Sequence, residues 1–370
     1  MKLIETATSQ KLRGGFYTPE PVAAFILKWA INGSTDSDIL EPSCGDGVFI
    51  EQIKENNYPY QSVTGIEFDS IEARKADAIP LKNKTVINED FHRYCNNTQR
   101  RFDIIVGNPP YIRYQYFDEK QQAEAGLVFN RANLKYSKLT NAWVSFVVGS
   151  SLLLKENGKI GFVLPAELLQ VSYAIQLREF LAAFYNKINI LSFEKLIFPD
   201  IQQEVVLLLC EKNNSKTHQI EHLELRDVNA LKELDISLLK SPRKTIDNKS
   251  NKWTFYFLDQ EEIDFIEKIT NSQKIPTIGD FAKVEVGITT GSNDFFTVPQ
   301  IIVDHFNLKK FARPMVGRSV QVNSVIFSKD DWEANNRMKA KSNLLVFPAN
   351  GALKDETGAL DYIKLVSCHA

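Results

Sequence analysis

The chain has 370 residues and a mass of 42.1 kDa, with 44% hydrophobic and 24% charged residues. These are ordinary globular values, and they exclude wholesale disorder and fibrous architectures. Forty-four basic residues against 46 acidic ones leave a net charge of −2, which excludes a strongly basic coat protein but not an enzyme whose positive charge is local.

Pro19 and Pro21 open an apolar helical stretch, Val22 to Ala30. A short strand, Ile39 to Glu41, runs into the small-residue turn Pro42-Ser43-Cys44-Gly45-Asp46-Gly47 and a helix from Val48. The pattern predicts a strand at Val63 to Glu67, a helix at Ser70 to Asp77 and a strand at Thr85 to Asn88. Phe102 to Val106 is apolar but for Asp103, as expected of a central parallel strand buried on both faces. Helix Asn141 to Leu154, turn Asn157-Gly158, strand Ile160 to Leu164, helix Ala174 to Phe184 and strands Ile188 to Phe193 and Glu204 to Cys210 follow. Alternating strand and helix signals predict an α/β, doubly wound, mostly parallel sheet of seven strands, Rossmann-like in arrangement. The last two strands leave no room for a helix between them and are expected to pair antiparallel at an edge.

At ~150 residues per domain the length predicts two domains. The polar, basic stretch Ser241 to Lys252 reads as the link between a domain at 1–240 and another at 241–370, with a helix at Glu261 to Ile269. The four cysteines, Cys44, Cys95, Cys210 and Cys368, show neither C-x-x-C nor zinc-ligand spacing. No metal site and no disulfide framework are expected, and a reducing cytoplasm fits. The N-terminus lacks a signal-peptide apolar core. The longest apolar stretch, Ala142 to Leu154, falls short of the ~20 residues of a membrane span and carries three serines.

Three acidic groups fall at strand ends. The Glu41 to Gly47 turn follows the first strand, and its glycines let the backbone approach a ligand closely. Glu67 ends the second strand, where an acid suits two ribose hydroxyls. Asp90-Phe91 follows the third strand; a carboxylate there can accept from adenine's exocyclic amine and an aromatic ring can stack on the base. Each has an ordinary reading as a solvated end, a cap or a turn. Together, at three successive strand ends, they favour an adenosine site.

Asn108-Pro109-Pro110-Tyr111 follows the buried strand. Two prolines fix φ and lack N–H donors, so the turn is rigid and its carbonyls point outward. The Asn108 side-chain oxygen and the Pro109 carbonyl could both accept from one planar amine. Such bonds favour the pyramidal nitrogen that forms as it attacks an electrophilic methyl group. Tyr111 offers a flat face to a base. No Pro-Cys dipeptide is present, so covalent C5-cytosine chemistry lacks its nucleophile.

Phe16-Tyr17-Thr18-Pro19, Glu41 to Phe49, Glu67, Asp90-Phe91 and Asn108 to Tyr111 stand in an order that resembles gamma-class DNA adenine-N6 methyltransferases of the Eco57I-like restriction–modification group. The resemblance implies a class I methyltransferase fold over about residues 14–211, S-adenosyl-L-methionine as cofactor, and a C-terminal target-recognition domain. It implies that Tyr17 and Thr18 contact the cofactor's methionine end. Glu41, Ser43, Gly45 and Gly47 would lie beneath methionine and ribose, Glu67 would hold the ribose, and Asp90 and Phe91 the adenine. Asn108 to Tyr111 would form the catalytic motif, and Phe198 would sandwich a flipped adenine against Tyr111, with Phe193 as a rival. The activity implied is methylation of adenine N6 in double-stranded DNA, protecting it from a cognate restriction endonuclease.

Charge locates the DNA-facing candidates. Residues 308–341 hold eight basic and three acidic side chains; Lys309, Lys310, Arg313 and Arg318 are the densest group, and Val284 to Phe296 resembles a recurring recognition segment. Arg113, Arg131, Lys135 and Lys138 suggest a mobile loop over DNA. Recognition domains of this group normally continue beyond Ala370, so an incomplete domain, completed by a second chain, is also expected. Protein-glutamine or RNA N-methylation and an inactive DNA-binding subunit are the competing readings. Methylation assays on DNA, RNA and release factor separate them.

Overall fold

A computed structural model describes residues 18–367 except 114–115, 138–139, 199–202, 241, 247–251, 273–274, 284, 286, 349–352 and 354–355. It divides into a first unit ending at Ile275 and a second beginning at Pro276.

The first unit starts with helix α1 (Glu20–Ile31), which carries Pro21 in its first turn, where a missing N–H has no intrahelical partner to lose. Strand β1 (Asp38–Glu41), helix α2 (Val48–Glu55), β2 (Ser62–Glu67), α3 (Ser70–Ala78), β3 (Lys84–Asn88), α4 (Phe91–Asn97) and β4 (Phe102–Gly107) alternate. Then come α5 (Glu119–Arg131), α6 (Ala142–Leu152), β5 (Leu154–Pro165), α7 (Ile175–Phe184), β6 (Lys187–Phe193), β7 (Val205–Glu211), β8 (Gln219–Leu225) and β9 (Lys244–Thr245). The sheet order is β3-β2-β1-β4-β5-β7-β6-β8-β9. β3 through β5 run parallel, while β7 runs antiparallel to both β5 and β6.

The antiparallel pairing of β6 with β7 is as expected, but the edge is not there. β7 lies inside the sheet, and β8 and β9 extend it beyond β6. β8 reads Gln-Ile-Glu-His-Leu-Glu-Leu and is mostly half-buried, so it lacks the apolar run that marks a central strand.

Both faces of the sheet are covered. Phe102 and Ile105 of β4 face one apolar cluster with Trp143 and Val147 of α6; Ile104 and Val106 face the other with α1 and α2. The register of β4 on β5 shifts between Phe102, opposite Leu154, and Ile104, opposite Lys159. Ten of the eleven α6 residues are buried, which explains a helix apolar all round. On β5, a Cβ at Gly161 would lie 2.5 Å from Ile26 Cγ2, so α1 rests on the strand only because no side chain intervenes.

The basic stretch after Tyr111 departs from the expected loop. Residues 119–131 form α5, begun by a capping box between Asp118 and Gln121. Ala125, Val128 and Phe129 are buried at helical spacing, and Arg131 Nη1 donates to Cys95 O (2.8 Å) and Asn96 Oδ1 (3.3 Å). Arg131 is therefore anchored to α4, Lys138 lies outside the described residues, and the charge pattern had masked an amphipathic helix.

The second unit holds a three-stranded antiparallel sheet, β10 (Thr297–Val298), β11 (Ala312–Pro314) and β12 (Asn343–Leu345), ordered β10-β12-β11. Val298, Val303, Leu308, Phe311, Leu345, Ala359 and Tyr362 form its core. Among the described residues no helix is long and apolar enough to cross a membrane.

Candidate active site

Four parallel strands end side by side, and the residues singled out from the sequence stand at those ends. Glu41 is the last residue of β1 and Glu67 the last of β2; Asp90 lies two residues past β3 and Asn108 one past β4. Neighbouring strands sit ~4.8 Å apart, so the sheet order alone gathers residues far apart in sequence.

The turn after β1 is tied to β2. Cys44 N–H donates to Ile66 O (2.9 Å), and Gly45 N–H donates to Glu67 Oε2 (2.9 Å). Asp69 N–H donates to Glu67 Oε1 (2.7 Å). Both carboxylate oxygens are thus oriented by backbone amides. Gly45 (φ 53°) and Gly47 (φ 98°) are in the left-handed region. A Cβ on Gly45 would point into open space, whereas one on Gly47 would lie 2.6 Å from Ile79 Cδ1. Gly45 bares the turn, and Gly47 lets it pack on α3.

Glu41 is 3% exposed, and its Oε2 has no hydrogen-bond partner. Burial, with Glu67 and Asp46 nearby, pushes its carboxyl well above the usual range. A buried acid with an orphaned oxygen fits a ligand that brings positive charge.

Asp90 caps α4, accepting from Arg93 N–H at 3.0 Å. Its own burial opposes ionisation, yet His92 and the Arg93 amide hold the carboxyl below the ordinary value. The Phe91 ring is 2% exposed and stacks on Phe146, with centroids 4.9 Å apart. Phe91 is the first residue of α4, directly after its cap Asp90. Sequence reasoning missed Phe68, next to Glu67 and 61% exposed. An aromatic residue directly after the acid that ends β2 was the available signal.

At the end of β4, Ser43 Oγ donates to Asn108 O (3.3 Å), joining the turn after β1 to the Asn-Pro-Pro-Tyr segment. The Tyr111 hydroxyl lies 2.6 Å from Asn108 Oδ1 and 2.9 Å from Val163 O. It carries one proton, so it donates to one acceptor at a time. Burial pushes the phenol well above its usual range, so it stays protonated. Pro109 is buried and Pro110 half-buried. Phe198 is 7% exposed and belongs to the cluster against which Tyr111 and Phe193 pack. Thr18 is buried just ahead of α1; Tyr17 lies outside the described residues.

Arg113 is exposed and its backbone bridges Asn141. In the second unit Lys309, Lys310, Arg313 and Arg318 are all exposed. Lys310 pairs with Glu356, and the Arg313 guanidinium donates to Lys310 O and Ala312 O, each at 3.0 Å. Arg318 lines a cavity of about 910 Å³ with Gly287, Asp294, Gln321 and Lys341. Of the Val284 to Phe296 segment, Val284 and Val286 lie outside the described residues.

The strand order β3-β2-β1-β4-β5-β7-β6 with its reversed β7 defines a class I S-adenosylmethionine-dependent methyltransferase fold. The chain belongs to the Eco57I restriction–modification methylase family, a family of type II restriction–modification DNA methyltransferases. The Eco57I restriction-modification methylase model matches residues 37–198, and the model of the type II methyltransferase M.Eco57I C-terminal domain matches residues 250–369. The type II methyltransferase M.AccI of Acinetobacter calcoaceticus is 25% identical over 94% of this chain and 64% of its own. M.HincII of Haemophilus influenzae is 28% identical over 66% of this chain and 43% of its own. The chain thus spans less than two thirds of both relatives; it spans 84% of the modification methylase CviBIII of Paramecium bursaria Chlorella virus NC1A, at 25% identity. The protein chain of the DrdV–DNA complex superposes with a TM-score of 0.59 at 13% identity, covering 92% of this chain and 44% of that one. The type IIG restriction endonuclease BpuSI does so at 0.51 and 16%, covering 96% and 46%. At such identities these two speak for the fold alone.

Proposed function

We propose that the protein transfers a methyl group from S-adenosyl-L-methionine to the N6 amine of an adenine flipped out of double-stranded DNA, protecting that DNA from a cognate restriction endonuclease. The observation that carries this reading is Asn108, set one residue past β4, joined to the β1 turn through Ser43 and held by Tyr111. The bound cofactor supplies an electrophilic methyl group on a sulfonium centre.

The residues divide the work by strand end. The Glu67 carboxylate, fixed by two backbone amides, accepts from the ribose hydroxyls. Asp90 accepts from the cofactor's adenine amine, the backbone N–H of Phe91 offers a donor beside it, and Phe68 covers the base. Glu41 meets the cofactor's positive end. Thr18 and Tyr17 close the methionine side.

Asn108 Oδ1 has two lone pairs, so it accepts from the target amine while the Tyr111 hydroxyl holds the amide in place. The Pro109 carbonyl accepts the second amine hydrogen. Both bonds strengthen as nitrogen becomes cationic, which is when they lower the barrier. A paired adenine hides this amine in the duplex, so the base must leave the stack. Phe198 and Tyr111 then flank it. Asn rather than Ser ahead of Pro-Pro-Tyr favours adenine N6 over cytosine N4. Lys309, Lys310, Arg313, Arg318 and Arg113 supply phosphate contacts.

The test is mass spectrometry of nucleosides from unmodified DNA incubated with enzyme and labelled cofactor. N6-methyladenine is expected. N4-methylcytosine, or label found only in RNA or protein, would overturn the reading.

A further inference from the structure

Helix α4 presents a residue that neither the pocket nor the catalytic motif uses. His92 is fully buried, and its Nε2 lies 2.6 Å from the equally buried Ser145 Oγ on α6. Its Nδ1 lies 3.5 Å from Asp90 Oδ1. The imidazole edge packs on the Phe146 ring at 4.8 Å, with Phe91 and Phe117 around it. Ser145 Oγ is also placed to donate to Ala142 O, 2.9 Å away.

Proton counting limits the imidazole. If Ser145 donates to Ala142 O, Nε2 must carry hydrogen; a neutral ring would then aim the Nδ1 lone pair at the Asp90 carboxylate, which is repulsive. Two arrangements avoid this. Ser145 can donate to Nε2 while Nδ1–H faces Asp90, or the ring can carry both protons. Each puts a hydrogen on Nδ1, towards Oδ1. That oxygen also accepts the Arg93 N–H, so Oδ1 is faced on two sides, by the backbone amide and by the imidazole. A ring clamped by α6 thereby fixes the direction of an acid at the mouth of α4.

We infer that His92, braced by Ser145, is a positioning residue that orients the Asp90 carboxylate for the exocyclic amine of the cofactor's adenine. This rests on the proposed role of Asp90. No charged side chain of α6 shares the pocket, since its sequence holds none; α5 contributes Gln121 beside Asp90. The clamp is therefore built from one imidazole and one hydroxyl.

The experiment is calorimetric affinity of the full chain for S-adenosylhomocysteine and for its 6-deamino analogue, whose base lacks the amine. Wild type should prefer the amine-bearing ligand. His92→Phe, which keeps an aromatic ring in the same space, should weaken S-adenosylhomocysteine by roughly fivefold to twentyfold while leaving the analogue within twofold, a part of the worth of one hydrogen bond to a charged group, since Asp90 itself remains. His92→Asn, whose amide nitrogen can replace Nδ1, should restore most of the preference. Ser145→Ala should lower it in the same direction, and serves if His92→Phe fails to fold. Equal loss for both ligands, or no loss, would mean that His92 only fills space. A wild type that binds both ligands equally would remove the Asp90 reading itself, and this inference with it.

Discussion

Asn108 and Glu41 are the side chains whose chemistry can be tested most directly. Asn108→Ala is expected to lower methyl transfer by ~10²–10³ while cofactor affinity changes only severalfold, because the lost contact forms mainly in the transition state. Single-turnover transfer of a tritiated methyl group measures the first, and calorimetry the second; near-wild-type transfer would remove Asn108 from the mechanism. Glu41 makes a prediction about pH. Its folded-state carboxyl is held well above the ordinary value by burial and by Glu67 and Asp46. The folded protein therefore keeps a proton that the unfolded chain has lost, and stability falls as pH rises from about 4.3 towards the raised value. Glu41→Gln should remove that loss, so its melting temperature relative to wild type should climb between about pH 5 and pH 8. A positively charged ligand favours the ionised acid, so cofactor binding should release a proton, seen as heats that vary with buffer ionisation enthalpy. A pH-independent gap in melting temperature would place the raised carboxyl elsewhere.

The turns between elements carry the proposed cofactor side, and each turn uses its backbone in a different way. Gly47 begins α2 at φ 98°, and a Cβ there would also come within 3.1 Å of Ala76. Gly47→Ala should destabilise the protein by about 1–3 kcal/mol, since it adds left-handed strain to a clash with α3; urea denaturation measures it. Gly45→Ala meets no such clash, so its stability loss should be the smaller of the two. At the end of β2, Glu67→Ala should weaken cofactor binding by ~1.5–3 kcal/mol, the worth of hydrogen bonds to a charged group. Phe68→Ala should weaken it too and leave the melting temperature of the free enzyme nearly unchanged, because its ring is exposed. Unchanged affinity in both variants would relocate the pocket. Strands β1 and β4 were legible because buried parallel strands are dominated by apolar residues. α5 and β8 were not, because charge and half-burial blur their periods.

For the whole molecule, a net charge of −2 makes any phosphate affinity a local property. DNA binding should weaken as salt rises, and Lys309→Ala and Arg318→Ala should each lower the slope of log K against log salt by about one. Unchanged slopes would move the DNA contact off these residues. The sequence by itself determined the class of fold, the order of strand ends and the identity of the acids on them, because backbone periodicity and residue chemistry are local. It also marked Asn108 to Tyr111, since two prolines fix a turn wherever they occur. Only the tertiary structure decided what those residues touch. It put the Phe91 ring in the core rather than over a ligand, set Tyr111 on Asn108, left Glu41 Oε2 without a partner and stood His92 between Asp90 and Ser145. His92 and Ser145 stand 53 positions apart, and no local pattern links them. They meet because α4 and α6 pack on the same face of the sheet, which brings the imidazole Nε2 to the Ser145 hydroxyl.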